Sequence, residues 1–281
     1  MGKIYDALQK AEAERGPRAS VAPAVPGPLE RGPVARHSQP RGRFARWKSG
    51  LREMLRSAPA ADDVTAVNKR RISLLHPNSF VAEQFRTLRA RLDSLAAERP
   101  VGVICMTSAM AGEGKTTAAA NLAIVSAMSV GRKVLLVDGD LRRPRLQAAF
   151  GLRPEFGLAE ILTGQATLDR AVIKVDGTNL DVLPVRGTPS NPSELLGAER
   201  MRSLVEELRR SYDLVIFDTP PVLALPDAKI LSELSDGVVL VVRAGETSRE
   251  DIEAALDIID RRRVLGLVLN GAEMDERRYG Y

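Results

Sequence analysis

The chain has 281 residues, a formal net charge of +5, an apolar share of 44% and one cysteine, Cys105. A single cysteine excludes an internal disulfide and favours a reducing compartment. The sequence contains no apolar run long enough to cross a bilayer and no signal-peptide pattern, so we expect a cytoplasmic protein of one or two domains.

The first 71 residues are predicted to form an arm outside the folded domain. Residues 1–15 place Ile4 and Leu8 at helical spacing and predict one short amphipathic helix, which is too short to be stable alone. Residues 16–71 are rich in proline, glycine, alanine and arginine, a composition typical of a largely disordered linker. We therefore expect the ordered domain to span residues 72–281.

Within this linker, residues 41–56 combine an apolar stripe with six basic side chains. A basic helix with Trp47 on its apolar side is typical of segments that bind anionic membrane surfaces. A helix that binds a protein partner explains the same pattern equally well. The hypothesis of peripheral attachment to the inner face of the plasma membrane rests on this segment.

The first predicted helix of the domain lies in LHPNSFVAEQFRTLRARLDSL. Its residues Glu83, Arg86 and Arg89 are spaced at i, i+3 and i+6, which places them near one another on a helix. From spacing alone, they indicate a surface ladder of ion pairs, which stabilises a protein little.

Residues 101–117, VGVICMTSAMAGEGKTT, follow the design of a phosphate-binding loop. The apolar run 101–106 predicts a buried strand, small residues follow, and a helix-like run begins after Thr117. Small residues let backbone N–H groups turn around a phosphate, and a helix N-terminus adds partial positive charge. The standard pattern has glycine where this chain has Ala109, and a small side chain still fits there. We predict that ATP is bound by Ala111, Gly112, Glu113, Gly114, Lys115, Thr116 and Thr117.

The remaining chain alternates apolar strands with amphipathic helices. This pattern predicts an α/β fold of the P-loop NTPase type, a parallel sheet covered by helices on both faces. The predicted strands are residues 133–140, 179–185, 213–218, 236–243 and 265–270, and the predicted helices are 199–211 and 248–263.

Carboxylates follow two of these strands. Asp138 and Asp140 end one strand and Asp218 ends another. Ligands of such sheets bind at the carboxyl ends of the strands, so these acids are expected beside the phosphate loop. Phosphoryl transfer needs Mg²⁺ on the phosphates and a carboxylate for the proton of the nucleophile. Individually, each acid could equally be an ordinary turn or cap residue.

Several motifs together resemble one family, the bacterial tyrosine kinases (BY-kinases) of capsule and exopolysaccharide systems. TSAMAGEGKTT is similar to the family's Walker A motif, LLVDGDLR to Walker A′ and LVIFDTPP to Walker B. EQFRTLR matches its E-x-x-R-x-x-R oligomerisation motif, and LPVRGTPSNPSELL is similar to a further family segment. The ending RRYGY resembles a shortened tyrosine cluster, and MGKIYDALQKAE resembles the start of some stand-alone members.

The resemblance implies roles for the residues that match these motifs. It implies that Lys115 and Thr116 hold the phosphates and Mg²⁺, and that Asp218 completes the metal site. It implies that Asp138 and Asp140 help to bind Mg²⁺ and that one of them is the base for a tyrosine hydroxyl. Asn270, after the last strand, matches the asparagine that contacts adenine in related ATPases.

The resemblance also implies partners. Family members form ring homo-oligomers in which the tail of one subunit enters the site of the next. Glu83, Arg86 and Arg89 would lie at that contact, and Tyr279 and Tyr281 would accept phosphate. A stand-alone member of the family works with a membrane-bound polysaccharide co-polymerase that activates it.

Two other functions fit parts of the sequence. A positioning or plasmid-partition ATPase shares the fold and the acidic motifs, but that class has a second lysine where this chain has Met110. A non-catalytic regulator that binds ATP would carry the same binding residues. Nucleic-acid binding is not expected, because the basic arm shows no recognition helix and no interleaved aromatic residues.

Overall fold

The computed structural model describes residues 76–272, in which strands and helices alternate along the chain. The strands are β1 (Val103–Ser108), β2 (Val134–Asp138), β3 (Ile173–Lys174), β4 (Leu180–Leu183), β5 (Leu214–Asp218), β6 (Gly237–Arg243) and β7 (Val264–Asn270). The α-helices are α1 (Phe80–Glu98), α2 (Lys115–Ala127), α3 (Leu146–Phe150), α4 (Leu158–Leu162), α5 (Leu168–Ala171), α6 (Pro192–Gly197), α7 (Glu199–Ser211), α8 (Pro226–Leu234) and α9 (Arg249–Ile258).

The seven strands form one sheet in the order β3-β4-β2-β5-β1-β6-β7. Every neighbouring pair is parallel except β3 and β4, which are antiparallel. The predicted parallel α/β sheet is therefore confirmed. The two-residue edge strand β3 was not predicted, because a run that short shows no periodicity.

Helices cover both faces of the sheet, as the continuous apolar strands predicted. Successive residues of β1 point to opposite sides, so Val103 and Cys105 belong to one core and Ile104 and Met106 to the other. Helices α1 to α3 pack on the second of these cores, and α4 to α9 pack on the first.

Helix α1 confirms the helix predicted within residues 75–95, although it begins at Phe80 and continues to Glu98. Its N-terminus is capped by the Ser79 hydroxyl, which accepts a hydrogen bond from the Ala82 N–H at 3.2 Å. Glu83 and Arg86 form the predicted ion pair. Arg89 pairs with Asp93 at 3.8 Å rather than with Glu83, and its guanidinium also donates to the Val125 carbonyl of α2 at 2.8 Å, which fastens α1 to α2.

The predicted helix 248–263 is too long at its C-terminal end. Helix α9 stops at Ile258, since Ile259 has an extended backbone. Asp260 then accepts a hydrogen bond from the Arg262 N–H and begins a 3₁₀ turn at Arg261–Arg263. A short acidic side chain that bonds the nearby backbone competes with the helix, which explains the early end.

Residues 1–75 and 273–281 lie outside the described part of the chain. The predictions for the amphipathic helix 1–15, the linker 16–71, its basic segment 41–56 and the tyrosines Tyr279 and Tyr281 fall there. Between residues 76 and 272, none of the helices is long and apolar enough to span a bilayer.

Candidate active site

The phosphate loop connects β1 to α2, as predicted. Gly112 and Gly114 both have a φ of +91°, a left-handed conformation that favours glycine. A Cβ on Gly112 would meet no atom within 4 Å, whereas one on Gly114 would lie 1.9 Å from the Asn270 Nδ2. Gly114 is therefore required by its backbone conformation and by its neighbour, and Gly112 by its conformation alone.

Ala109 and the residues that open α2 fit the same design. The Ala109 side chain is buried in the core, so the methyl group that replaces the usual glycine occupies a packed position. Lys115 and Thr116 are the first two residues of α2, a helix of 13 residues. Their backbone N–H groups belong to the positive end of the helix dipole, where a phosphate is stabilised.

Glu113 stabilises this loop through hydrogen bonds of its side chain and its backbone carbonyl. Its side chain is 4% exposed, and one carboxylate oxygen accepts a hydrogen bond from the Met110 N–H at 2.9 Å. The Thr247 hydroxyl donates to the other oxygen. The Asn270 side chain donates from Nδ2 to the Glu113 carbonyl at 2.9 Å. The Glu113 side chain is thus engaged with the protein, which leaves its backbone N–H as the group that can bind a phosphate.

The three acidic side chains lie together at the edge of the sheet where the phosphate loop begins. Asp138 and Asp218 are register partners on the neighbouring strands β2 and β5. Strand β5 also pairs with β1, and Asp218 is the register partner of Met106. Asp140 follows β2 by two residues. The sheet topology therefore brings the predicted acids next to the predicted loop.

Asp138 is the most deeply buried of these acids. It is fully buried, and its carboxylate accepts hydrogen bonds from the N–H groups of Arg145 and Leu146, both at 2.9 Å, and of Asp140 at 3.2 Å. Burial, followed by repulsion from the Asp218 carboxylate, raises the pKa of Asp138 to about 8, although these backbone donors act in the opposite direction. Asp140 is 7% exposed and accepts from the Arg143 N–H at 2.9 Å.

A second charged cluster anchors the loop that follows Asp140. The Arg142 guanidinium donates to the buried Asp227 carboxylate and to the Ser193 hydroxyl, both at 2.8 Å. The Asp227 hydrogen bond, and then its charge, raise the pKa of Arg142 further above its ordinary value. Sequence reasoning missed Asp227 and Ser193, because each sits at an ordinary helix start, after Pro226 and Pro192, far from Arg142 in sequence.

The donor set fits Mg²⁺ held partly by a bound nucleotide. Between residues 76 and 272 no group of three or more His, Cys, Asp or Glu side chains could enclose a metal ion by itself. Mg²⁺ usually keeps several waters and binds through one or two carboxylates and substrate phosphates. Thr116, Asp138 and Asp218 supply one hydroxyl and two carboxylates, which matches that mode.

We compared the chain with known protein families and with curated proteins. The family described as an AAA domain matches residues 101–264. Tyrosine-protein kinase YwqD of Bacillus subtilis is 40% identical over 213 residues, 75% of this chain and 90% of YwqD. Succinoglycan biosynthesis transport protein ExoP of Rhizobium meliloti is 35% identical over 224 residues, 77% of this chain but 28% of ExoP.

Solved structures similar to this chain include a tyrosine kinase domain and a cell-division ATPase. The kinase domain of Escherichia coli tyrosine kinase ETK matches with a TM-score of 0.68 at 33% identity, covering 73% of this chain and 81% of that domain. The septum site-determining protein MinD of Pyrococcus horikoshii, complexed with Mg-ADP, matches with a TM-score of 0.53 at 25% identity, covering 63% of this chain and 72% of its own. Identity and coverage are both higher for the kinases. The chain belongs to the BY-kinase family of bacterial tyrosine kinases.

Proposed function

We propose that this chain is an ATP-dependent protein-tyrosine autokinase that phosphorylates Tyr279 and Tyr281 of a neighbouring copy. The proposal rests on one main observation: the phosphate loop lies beside three carboxylates at the ends of neighbouring strands. A phosphate cradle alone fits any nucleotide-binding protein. A cradle beside several carboxylates also offers metal ligands and a proton acceptor, which phosphoryl transfer to a hydroxyl requires.

Different residues of the site bind the phosphates, the adenine and the metal ion. The loop N–H groups and Lys115 bind the phosphates, and Asn270 contributes to adenine binding. Thr116, Asp138 and Asp218 would hold Mg²⁺, which would neutralise charge on the phosphates. These groups orient the γ-phosphate toward an incoming tyrosine and balance its charge.

Asp140 is the better candidate for the base. Asp138 is fully buried and its carboxylate accepts three backbone hydrogen bonds, whereas Asp140 is slightly exposed. A base must come within hydrogen-bond reach of the tyrosine hydroxyl that enters from solvent. Asp140 therefore takes the tyrosine proton, and Asp138 serves the metal.

The proposal includes a ring homo-oligomer with its contact at α1. Glu83 remains about half exposed while it pairs with Arg86, so it is accessible to a neighbouring copy. The Arg86 guanidinium also donates to the Pro77 carbonyl at 2.8 Å, and Arg89 holds α2. In this arrangement the arginines shape the contact surface, and Glu83 reaches the neighbour.

The biological setting we propose is polysaccharide synthesis or export. ExoP, a relative, is named for succinoglycan biosynthesis and transport. In that setting the chain would work with a membrane-bound polysaccharide co-polymerase as its activator. The basic segment 41–56 would hold the chain at anionic lipid on the cytoplasmic face. Sedimentation of the full chain with anionic vesicles, compared with a chain lacking residues 41–56, tests that attachment.

Phosphorylation of one copy by another is tested by mixing two variants. One carries Lys115→Met and keeps the tail, and the other has an intact loop but ends at residue 272. Phosphotyrosine on the Lys115→Met chain supports transfer between copies. Its absence, while the wild-type chain alone becomes phosphorylated, would restrict transfer to a single copy.

A purely positioning ATPase is the second candidate, because MinD shares the fold and binds Mg-ADP. That candidate predicts ATP hydrolysis without phosphotyrosine on any variant. Met110 stands where the positioning class carries its second lysine, and its side chain is about half exposed. An apolar side chain there supplies no positive charge to a partner's phosphates, which favours the kinase.

A further inference from the structure

One threonine outside the recognised motifs is bonded directly to the phosphate loop. Thr247 lies between β6 and α9, and its hydroxyl donates to the buried Glu113 carboxylate. The same hydroxyl oxygen accepts a hydrogen bond from the Arg243 N–H at 2.8 Å. Thr247 thus bridges the end of β6 and the middle of the phosphate loop.

The Glu113 carboxylate connects Thr247 to Met110, near the start of the loop. Its second oxygen accepts from the Met110 N–H at 2.9 Å, so one side chain holds the beginning of the loop close to its glycines. Rotation of Glu113 away from Met110 would release the loop. The Thr247 hydrogen bond restricts that rotation, because it fixes the other carboxylate oxygen.

A loop that is already in its binding conformation loses less conformational entropy when a ligand arrives. The phosphate loop depends on this more than most sites, since its N–H groups must converge on one anion. A hydrogen bond that keeps the loop in place therefore contributes to nucleotide affinity without touching the nucleotide.

We propose that Thr247 is a positioning residue of the nucleotide site and acts through Glu113. The proposal rests on the proposed function, because it requires that the loop binds a nucleotide. It assigns part of the affinity for ATP to the connection between β6 and α9. It also separates the two roles of Glu113, whose backbone serves the phosphate while its side chain shapes the loop.

Thr247→Val tests the proposal, since valine keeps the branched shape and removes the hydroxyl. Binding of a fluorescent ADP derivative with Mg²⁺ to the full chain is measured together with thermal unfolding. Loss of a hydrogen bond to a charged group predicts a rise in Kd of about tenfold or more. Thr247→Ser, which keeps the hydroxyl, is expected to restore most of the affinity.

Ser248→Ala is the matched control. Ser248 caps α9, because its hydroxyl accepts from the Asp251 N–H at 3.0 Å, and it makes no such contact with Glu113. This variant is expected to lower the unfolding temperature and leave the Kd unchanged. Thr247→Val should also raise the KM for ATP more than it lowers kcat, because Asp138, Asp140 and Asp218 are untouched.

The two proposals fail in different ways. If the wild-type chain binds the nucleotide and Thr247→Val binds it equally well, the role of Thr247 is overturned and the proposed function stands. If Ser248→Ala weakens binding as much as Thr247→Val, a general effect of α9 replaces the specific one. If the wild-type chain itself does not bind the nucleotide, both proposals are wrong.

Discussion

Asp138 and Asp218 are register partners on neighbouring parallel strands, and both side chains are buried at the edge of the sheet where the phosphate loop begins. Two buried carboxylates in such positions repel one another and resist ionisation. A bound cation relieves that repulsion. The pair is therefore unfavourable for the empty protein and suited to a metal-bound nucleotide.

This arrangement predicts a pH dependence of stability without metal or nucleotide. The pKa of Asp138 rises from 3.8 to about 8 on folding, so between these values the folded protein holds a proton that the unfolded chain releases. The contribution is present below about pH 4 and is lost as the pH rises toward 8. We expect the free energy of unfolding to fall from pH 6 to pH 8 by about 2 kcal/mol more in wild type than in Asp138→Asn. Denaturant unfolding in EDTA measures it, and equal slopes in both chains would contradict it.

The two loop glycines predict different mutant behaviour. Gly112→Ala introduces backbone strain of about 1–2 kcal/mol, and its new methyl group meets open space. Gly114→Ala adds a collision with the Asn270 side chain, which must turn away and lose its hydrogen bond to the Glu113 carbonyl, so it should weaken nucleotide binding more than Gly112→Ala does. The double variant Gly114→Ala/Asn270→Ala is compared with Asn270→Ala alone, because that change removes a proposed adenine contact, and the loss caused by Gly114→Ala should be smaller in the Asn270→Ala background. Titration with a fluorescent nucleotide checks these variants, and an equal loss in both backgrounds would show that strain alone explains Gly114.

Arg142 and Asp227 predict a stability effect that a double variant can isolate. Arg142→Met removes the cation beside a fully buried carboxylate, and an unpaired buried charge is strongly unfavourable. We expect a lower unfolding temperature, and Arg142→Met/Asp227→Asn should be more stable than Arg142→Met alone. Thermal unfolding at neutral pH measures both. A double variant that is less stable than the single one would mean that Asp227 acts through other partners.

Cys105 is predicted to be chemically inert in the folded protein. Burial raises the pKa of its thiol to about 12, so almost no reactive thiolate forms at pH 8. An aromatic disulfide reagent should label no thiol in the native chain and one thiol per chain in denaturant. Rapid labelling under native conditions would indicate that β1 opens readily.

The sequence allowed prediction of what depends on local pattern. Apolar runs located six of the seven strands, and the positions of Asp138, Asp140 and Asp218 followed from the predicted ends of two of these strands. The spacing of Glu83 and Arg86 also predicted their ion pair correctly. Helix 248–263 was predicted too long, because the Asp260 side chain accepts a hydrogen bond from the Arg262 N–H, and periodicity does not reveal that contact.

Contacts between distant segments could not be predicted in this way. Thr247 and Glu113 are 134 residues apart, and Arg142 and Asp227 are 85 apart. Each residue alone resembles a common loop or cap residue. Their pairing follows only from the strand order, which places β6 beside β1 and β2 beside β5.

Tyrosine autophosphorylation is tested first by mapping phosphate on the purified full chain after incubation with Mg²⁺ and ATP. Intact mass and fragmentation are compared for wild type, Lys115→Met and Tyr279→Phe/Tyr281→Phe. We expect phosphate on Tyr279 or Tyr281 of wild type and none on either variant, both without and with the cytoplasmic segment of the membrane activator. ATP hydrolysis with no phosphotyrosine, with or without that segment, would contradict it.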